Sequence, residues 1–370
     1  MSTAPVTSAN PSTDEVDLDE PAPRFEFTPR KLAVFALFVV LAIVALYLLL
    51  PQLAGLEETW HRMEEGSPLW LGVALLFALG MFGGYVALFQ AIFGRASGRL
   101  TFRESYQITM ASLAATRLFS AGGAGGLLLT AWALRQSGMR RKAVADTTVA
   151  FITVTYLVYM AALIVGGFGL HLEILPGPSP LAITFVPATL ALLVTAAGLS
   201  IAFVPTDLQE RMLRRLGAGR PGFLGRWSIR LAQVPASISA GMRMALAHIR
   251  RRDYALLGAV LFWASQILCL WACFRAFGEA PAAAVLVVGF FVGMLGNLLP
   301  LPGGIGGVDG GLIGAFVAFG VDFGLATVAV LVYRALTFWL PTLPGVIAYV
   351  QLRRTVERWR LERRRAAAAA

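Results

Sequence analysis

The 370-residue chain has a mean hydropathy of +0.71, with 57% apolar residues and 14% charged ones, a balance that excludes a soluble globular domain. Its net charge of +10 comes from 31 basic residues gathered into a few clusters, as on the cytoplasmic faces of a membrane protein; no nucleic-acid recognition module is visible. Two cysteines, Cys269 and Cys273, lie i,i+4 in one apolar run and make neither a disulfide framework nor a metal site.

Residues 1–29 are rich in Pro, Ser, Thr, Asp and Glu and read as a disordered cytoplasmic tail. The first apolar run starts at Leu32, too late and without the cleavage site of a signal peptide, and is expected to be a retained span closed by Pro51. Apolar spans are predicted near 32–50, 69–93, 145–170, 181–204, 254–277 and 325–350. Two glycine-broken stretches remain, at 104–137 and 282–320. The chain thus divides into a first membrane half (30–204), a basic amphipathic cytoplasmic linker (205–253), a second membrane half (254–352) and a basic C-terminal tail (353–370). In the linker, Trp227, Leu231, Val234, Ile238, Met242 and Ile249 recur at near-helical spacing among arginines, the pattern of a segment lying on anionic lipid.

Charge sets the sides. The linker carries ten arginines and the run Arg353–Arg365 carries seven, whereas the loop at 51–68 holds four glutamates against Arg62. Both termini and the linker therefore belong in the cytoplasm. Seven cations, from Arg95 to Lys142, flank the first break on both sides, so it enters and leaves from the cytoplasm. Glu279 and Asp322 flank the second, so its ends face outside. Each broken stretch can be a pair of spans or a re-entrant hairpin. The arm 308–320 is about 13 residues, too short to cross at 1.5 Å per residue, which favours re-entrant hairpins. The expected fold is an all-α polytopic membrane protein with about six transmembrane helices and two re-entrant hairpins in an inverted repeat.

The breaks are the strongest functional signal. GGAGG occupies 122–126 and GGIGG 303–307, and Gly138 and Gly320 follow at nearly equal distance. Such breaks recur where membrane backbone lines a cavity. Charged residues inside the membrane are costly and mark function. Arg117 precedes the first break, Asp309 follows the second, and Arg334 lies in the last span, at a spacing that permits an Asp309–Arg334 pair. The candidate substrate-binding set is Arg117, Gly122, Gly123, Gly125, Asn297, Gly303, Gly304, Gly306, Asp309, Tyr333 and Arg334. Half-helix N-termini favour an anion, glycines let a headgroup approach the backbone, and each arginine can fork onto a phosphate. Asp309 alternatively serves as a helix cap, Arg334 as a structural pair, and Asn297 as a partner for broken backbone. Asp146 is expected at the interface, and Arg275 is expected to anchor the outer boundary. His61, His171 and His248 are scattered, and no catalytic, metal or nucleotide motif appears, so no cofactor is expected and the protein is not expected to be an enzyme.

The second break and the last span, through Pro302, Gly303, Gly304, Gly306, Asp309, Gly320, Tyr333, Arg334, Trp339, Pro341 and Gly345, resemble the lysylphosphatidylglycerol synthase/flippase transmembrane domain family. The first break, with Thr116, Arg117 and GGAGG, resembles that family's N-terminal half, and the likeness covers about residues 30–352. The resemblance implies a lipid flippase-like transporter of the bacterial cytoplasmic (inner) membrane, moving anionic or aminoacylated phospholipid or polyprenyl-linked lipid. The family commonly has Glu where Asp309 stands, and an acidic residue often follows the first break, where this chain has Gly126-Leu127. The aminoacyltransferase domain of bifunctional members is missing, so synthesis of lysyl-lipid is not expected. Expected partners are membrane phospholipid with an anionic headgroup, a lipid-modifying enzyme, or a second copy in a homodimer, and not nucleic acid. The alternative function is a non-transporting scaffold for a glycosyltransferase or lipid-modifying enzyme.

Overall fold

A computed structural model describes residues 66–119, 124–202, 239, 241–247, 250–251, 254–299 and 304–369. The N-terminal tail, the span expected at 32–50 and most of the linker lie outside the described residues, as do Gly122, Gly123 and Gly303. Among the described residues the secondary structure is helical throughout.

Helix α1 (Pro68–Phe89) starts with proline at its first position, where the missing N–H costs nothing, and continues through a π turn (Gln90–Gly94) to Ser97. Gly98, at φ 63°, ends it. Helix α2 (Phe102–Phe119) opens on a T-x-x-E capping box. There Thr101 N–H donates to Glu104 Oε2 (2.8 Å) and Glu104 N–H to Thr101 Oγ1 (3.3 Å). The remaining helices are α3 (Ala124–Gln136), α4 (Arg141–His171), α5 (Phe185–Ala202), α6 (Tyr254–Phe277), α7 (Ala283–Met294), α8 (Gly307–Ala318), α9 (Phe323–Arg334) and α10 (Thr342–Ala369). A 3₁₀ turn (Leu295–Leu298) extends α7, and a π turn (Ala335–Trp339) extends α9 toward α10.

Four of these segments are long and apolar enough to cross a membrane: Pro68–Ser97, Arg141–His171, Tyr254–Phe277 and Phe323–Ala366. They match four of the six predicted spans. The span expected at 181–204 is the 18-residue α5, about 27 Å long. Leu76, Leu79, Val165, Leu193 and Leu257 are exposed on these helices and form an outer apolar face suited to lipid.

The two broken stretches fold as helical hairpins, α2–α3 and α7–α8. Helices α7 and α8 have 12 residues each, about 18 Å, well short of a ~30 Å hydrocarbon core. Glycine brings their arms together. A Cβ at Gly293 would meet the Leu312 Cα at 2.5 Å, and one at Gly311 would meet the Gly293 carbonyl oxygen at 2.5 Å. Both hairpins leave their second arm through the same turn. Gly138 (φ 98°) and Gly320 (φ 86°) adopt the left-handed conformation, and Met139 N–H and Val321 N–H reach back to Leu134 and Phe316 carbonyls (3.2 and 3.0 Å). The recurrence of these glycines in the sequence is thus a repeated helix-terminating motif.

Helices α1 and α6 pack antiparallel along their length. A Cβ at Gly84 would lie 2.8 Å from Phe262 N, and one at Gly258 would lie 2.7 Å from Leu88 N. Further along, Trp70 packs edge-on to Trp271 (5.1 Å). Helix α10 packs on α2 of the first hairpin, and α4 packs on α7 of the second. The second half, with α4, holds a large core of Phe274, Phe290, Phe291, Phe316 and Tyr333.

Candidate functional site at the junction of the hairpins

The last span is broken at Pro341. Without an N–H, Pro341 cannot serve the Thr337 carbonyl four residues earlier. The backbone widens into the π turn at Ala335–Trp339, and Leu340 N–H reaches Ala335 O at 2.9 Å. Arg117, at the end of α2, supplies the missing donors. Its Nη2 donates to Thr337 O (2.9 Å) and its Nη1 to Phe338 O (2.7 Å), which also accepts from Thr342 Oγ1 (3.0 Å). One guanidinium therefore ties the tip of the first hairpin to the break in the last span.

Arg334 stands one turn before that break. Its Nε donates to Asp309 Oδ1 at 2.7 Å, with the side chains 12% and 21% exposed. The second Asp309 oxygen accepts from Gly306 N–H (2.8 Å), which caps α8. Asp309 is thus both cap and ion-pair partner, and the positive end of α8 is met by its own carboxylate. Gly306 caps at φ 80°, a conformation that favours glycine. Phe338 joins the two cations: Arg117 lies 4.9 Å and Arg334 4.4 Å from its ring centre. Beside Arg334, Tyr333 is buried, and its hydroxyl donates to Gln266 Oε1 of α6 (3.0 Å).

The structure therefore brings together Arg117, Gly306, Asp309, Tyr333 and Arg334. Gly304 (φ 68°) adjoins them, one turn before Val308, with the Asn297 side chain against it: a Cβ there would lie 2.6 Å from Asn297 Oδ1. Gly125 is buried in the first turn of α3. Asp146 is separate, in the second turn of α4. Arg275, at the end of α6, stacks over Trp70 (5.6 Å). The sequence reading missed Phe338, Thr337 and Gln266. Pro341 was the available signal for the first two, since it orphans the carbonyl that Arg117 binds. Gln266, a lone amide in an apolar helix, was the other.

The fold and this cluster define a polytopic α-helical membrane protein with two glycine-broken helical hairpins. Residues 34–345 match the Lysylphosphatidylglycerol synthase TM region, and the chain belongs to that family. A "UPF0104 membrane protein" of Methanothermobacter thermautotrophicus is 24% identical over 331 residues, covering 84% of this chain and 91% of that protein. Another of the same description and organism is 38% identical over 90 residues, covering 24% of this chain and 27% of its own length. These relatives are archaeal, so they lend no support to the expected bacterial origin.

Proposed function

We propose that the protein carries lipids with anionic headgroups between the leaflets of the cytoplasmic membrane, both its termini facing the cytoplasm. The observation that supports this most is a charge imbalance. Two guanidiniums, Arg117 and Arg334, share one aromatic ring, and among the described residues a single carboxylate, Asp309, answers them. A low-dielectric site with an excess cation favours an anion from outside. Arg117 spends both terminal nitrogens on backbone carbonyls. Arg334 engages Asp309 through Nε, and among the described residues its Nη groups have no hydrogen-bond partner. They are the donors that would fork onto a phosphodiester while the acyl chains stay in the bilayer. Aminoacylated phospholipid and polyprenyl-linked phosphate carry the same anionic group.

The test is reconstitution of the full chain in vesicles and measurement of how fast a fluorescent phosphatidylglycerol reaches the opposite leaflet. Transport predicts movement well above protein-free vesicles. Folded protein that moves no lipid would sink the proposal and turn attention to a scaffolding role beside a lipid-modifying enzyme.

A further inference from the structure

A cavity of about 420 Å³ opens between α1, the first hairpin, α4 and α6. Among the described residues that line it, none is charged. One wall is aromatic, with Tyr85, Phe89, Phe151 and Phe262 packed ring against ring. The other carries hydroxyls: Thr109, Ser112 and Thr116 at i, i+3 and i+7 on α2, with Thr130 on α3. Two lining groups lack partners. Thr109 Oγ1 and Gln266 Nε2 are buried without a hydrogen bond among the described residues, their side chains belonging to residues only 2% and 6% exposed. An unmade hydrogen bond in such surroundings is costly, and a side-chain rotation toward the cavity would let an occupant complete it.

We propose that this cavity binds the uncharged, hydroxyl-bearing part of a lipid headgroup, a sugar or a glycerol. Flat aromatic faces cover the apolar side of a polyol, and neutral donors and acceptors meet its hydroxyls without the desolvation cost of a charge. Two residues that line the cavity adjoin the cationic cluster. Gln266 holds Tyr333, the neighbour of Arg334, and Thr116 precedes Arg117. A phosphate on Arg334 would leave its polyol substituent in the cavity. The inference builds on the transport reading above, and its test separates the two.

The full-length protein in detergent is titrated with two lipid pairs by native mass spectrometry. Phosphatidylglycerol is compared with phosphatidylethanol, the same phosphodiester without hydroxyls, and monoglucosyldiacylglycerol with diacylglycerol. At least one hydroxylated lipid is expected to bind about fivefold or more tighter than its counterpart, the effect of one or two hydrogen bonds. Preference in the first pair identifies glycerol as the occupant, and preference in the second identifies sugar. Thr109→Val removes an unpartnered hydroxyl at constant shape. It should leave thermal stability unchanged or higher while cutting the preference about fivefold. Gln266→Leu should cut it too, with folding checked because Tyr333 loses its partner. Arg334→Met should weaken both anionic lipids alike and preserve their ratio, so an absence of lipid movement with an intact ratio would remove the transport reading and leave this one standing. Equal binding within both pairs, or a preference untouched by Thr109→Val and Gln266→Leu, would overturn the inference and leave a water-filled hole.

Discussion

Replacing Asp309 with Ala removes two interactions at once. The cap on Gly306 N–H is worth about 1 kcal/mol. The pair with Arg334 is partly exposed, at 12% and 21%, so its loss is set at roughly 2 kcal/mol, below the ~3–5 kcal/mol of a fully buried pair. Asp309→Ala should therefore cost about 3 kcal/mol, because it leaves two neighbouring guanidiniums without a carboxylate. Arg334→Met should cost only about 1 kcal/mol, since Asp309 keeps its place on the α8 terminus and the methionine stem still covers Phe338. Combining the two should restore part of the loss, giving a coupling energy of about 1–2 kcal/mol. Denaturant unfolding in detergent, followed by tryptophan fluorescence, measures all three variants. The reasoning fails if Arg334→Met is the more damaging change, or if the two effects add to within about 0.5 kcal/mol.

Arg117→Ala should destabilise by about 1–3 kcal/mol through the orphaned Thr337 carbonyl, and adding Pro341→Ala should recover part of it by supplying the missing N–H, read as the unfolding midpoint. Arg117→Lys should not substitute, because a point ammonium cannot serve two carbonyls in the geometry of the fork. Gly258→Leu should separate α1 from α6, since even a Cβ would sit 2.7 Å from Leu88 N, and size-exclusion chromatography should show loss of the monodisperse protein. Gly320→Ala places a side chain at φ 86° and should cost about 1 kcal/mol in the same unfolding assay.

Much of this architecture was legible in the sequence. Apolar runs marked four spans, because length and hydropathy are local properties; three are bounded within a few residues, and the fourth, expected at 325–350, continues as helix to Ala366. The matched breaks marked two hairpins, and the trailing glycines, noted in the sequence only for their equal spacing, are where both hairpins end in the same turn, since a positive φ leaves its mark as glycine. Asp309 and Arg334 stood out because charge is costly in a membrane, and the permitted pair is present. What stayed hidden was non-local. Arg117 meets Thr337 and Phe338 from 220 and 221 residues away, and only the three-dimensional fold sets the tip of the first hairpin against the break of the last span. The cavity was hidden for the same reason. Its α2 hydroxyls carry a helical spacing that can be read, but their aromatic counterparts come from α1, α4 and α6.

The most direct test of the account is charge selectivity in lipid movement. In reconstituted vesicles, the wild-type protein should move fluorescent phosphatidylglycerol faster than phosphatidylcholine. Arg334→Met, shown to be folded, should lose most of the anionic rate, about tenfold or more for one charge-assisted contact. A folded variant that moves phosphatidylglycerol as fast as the wild type would contradict the claim that the headgroup is read at the junction of the hairpins.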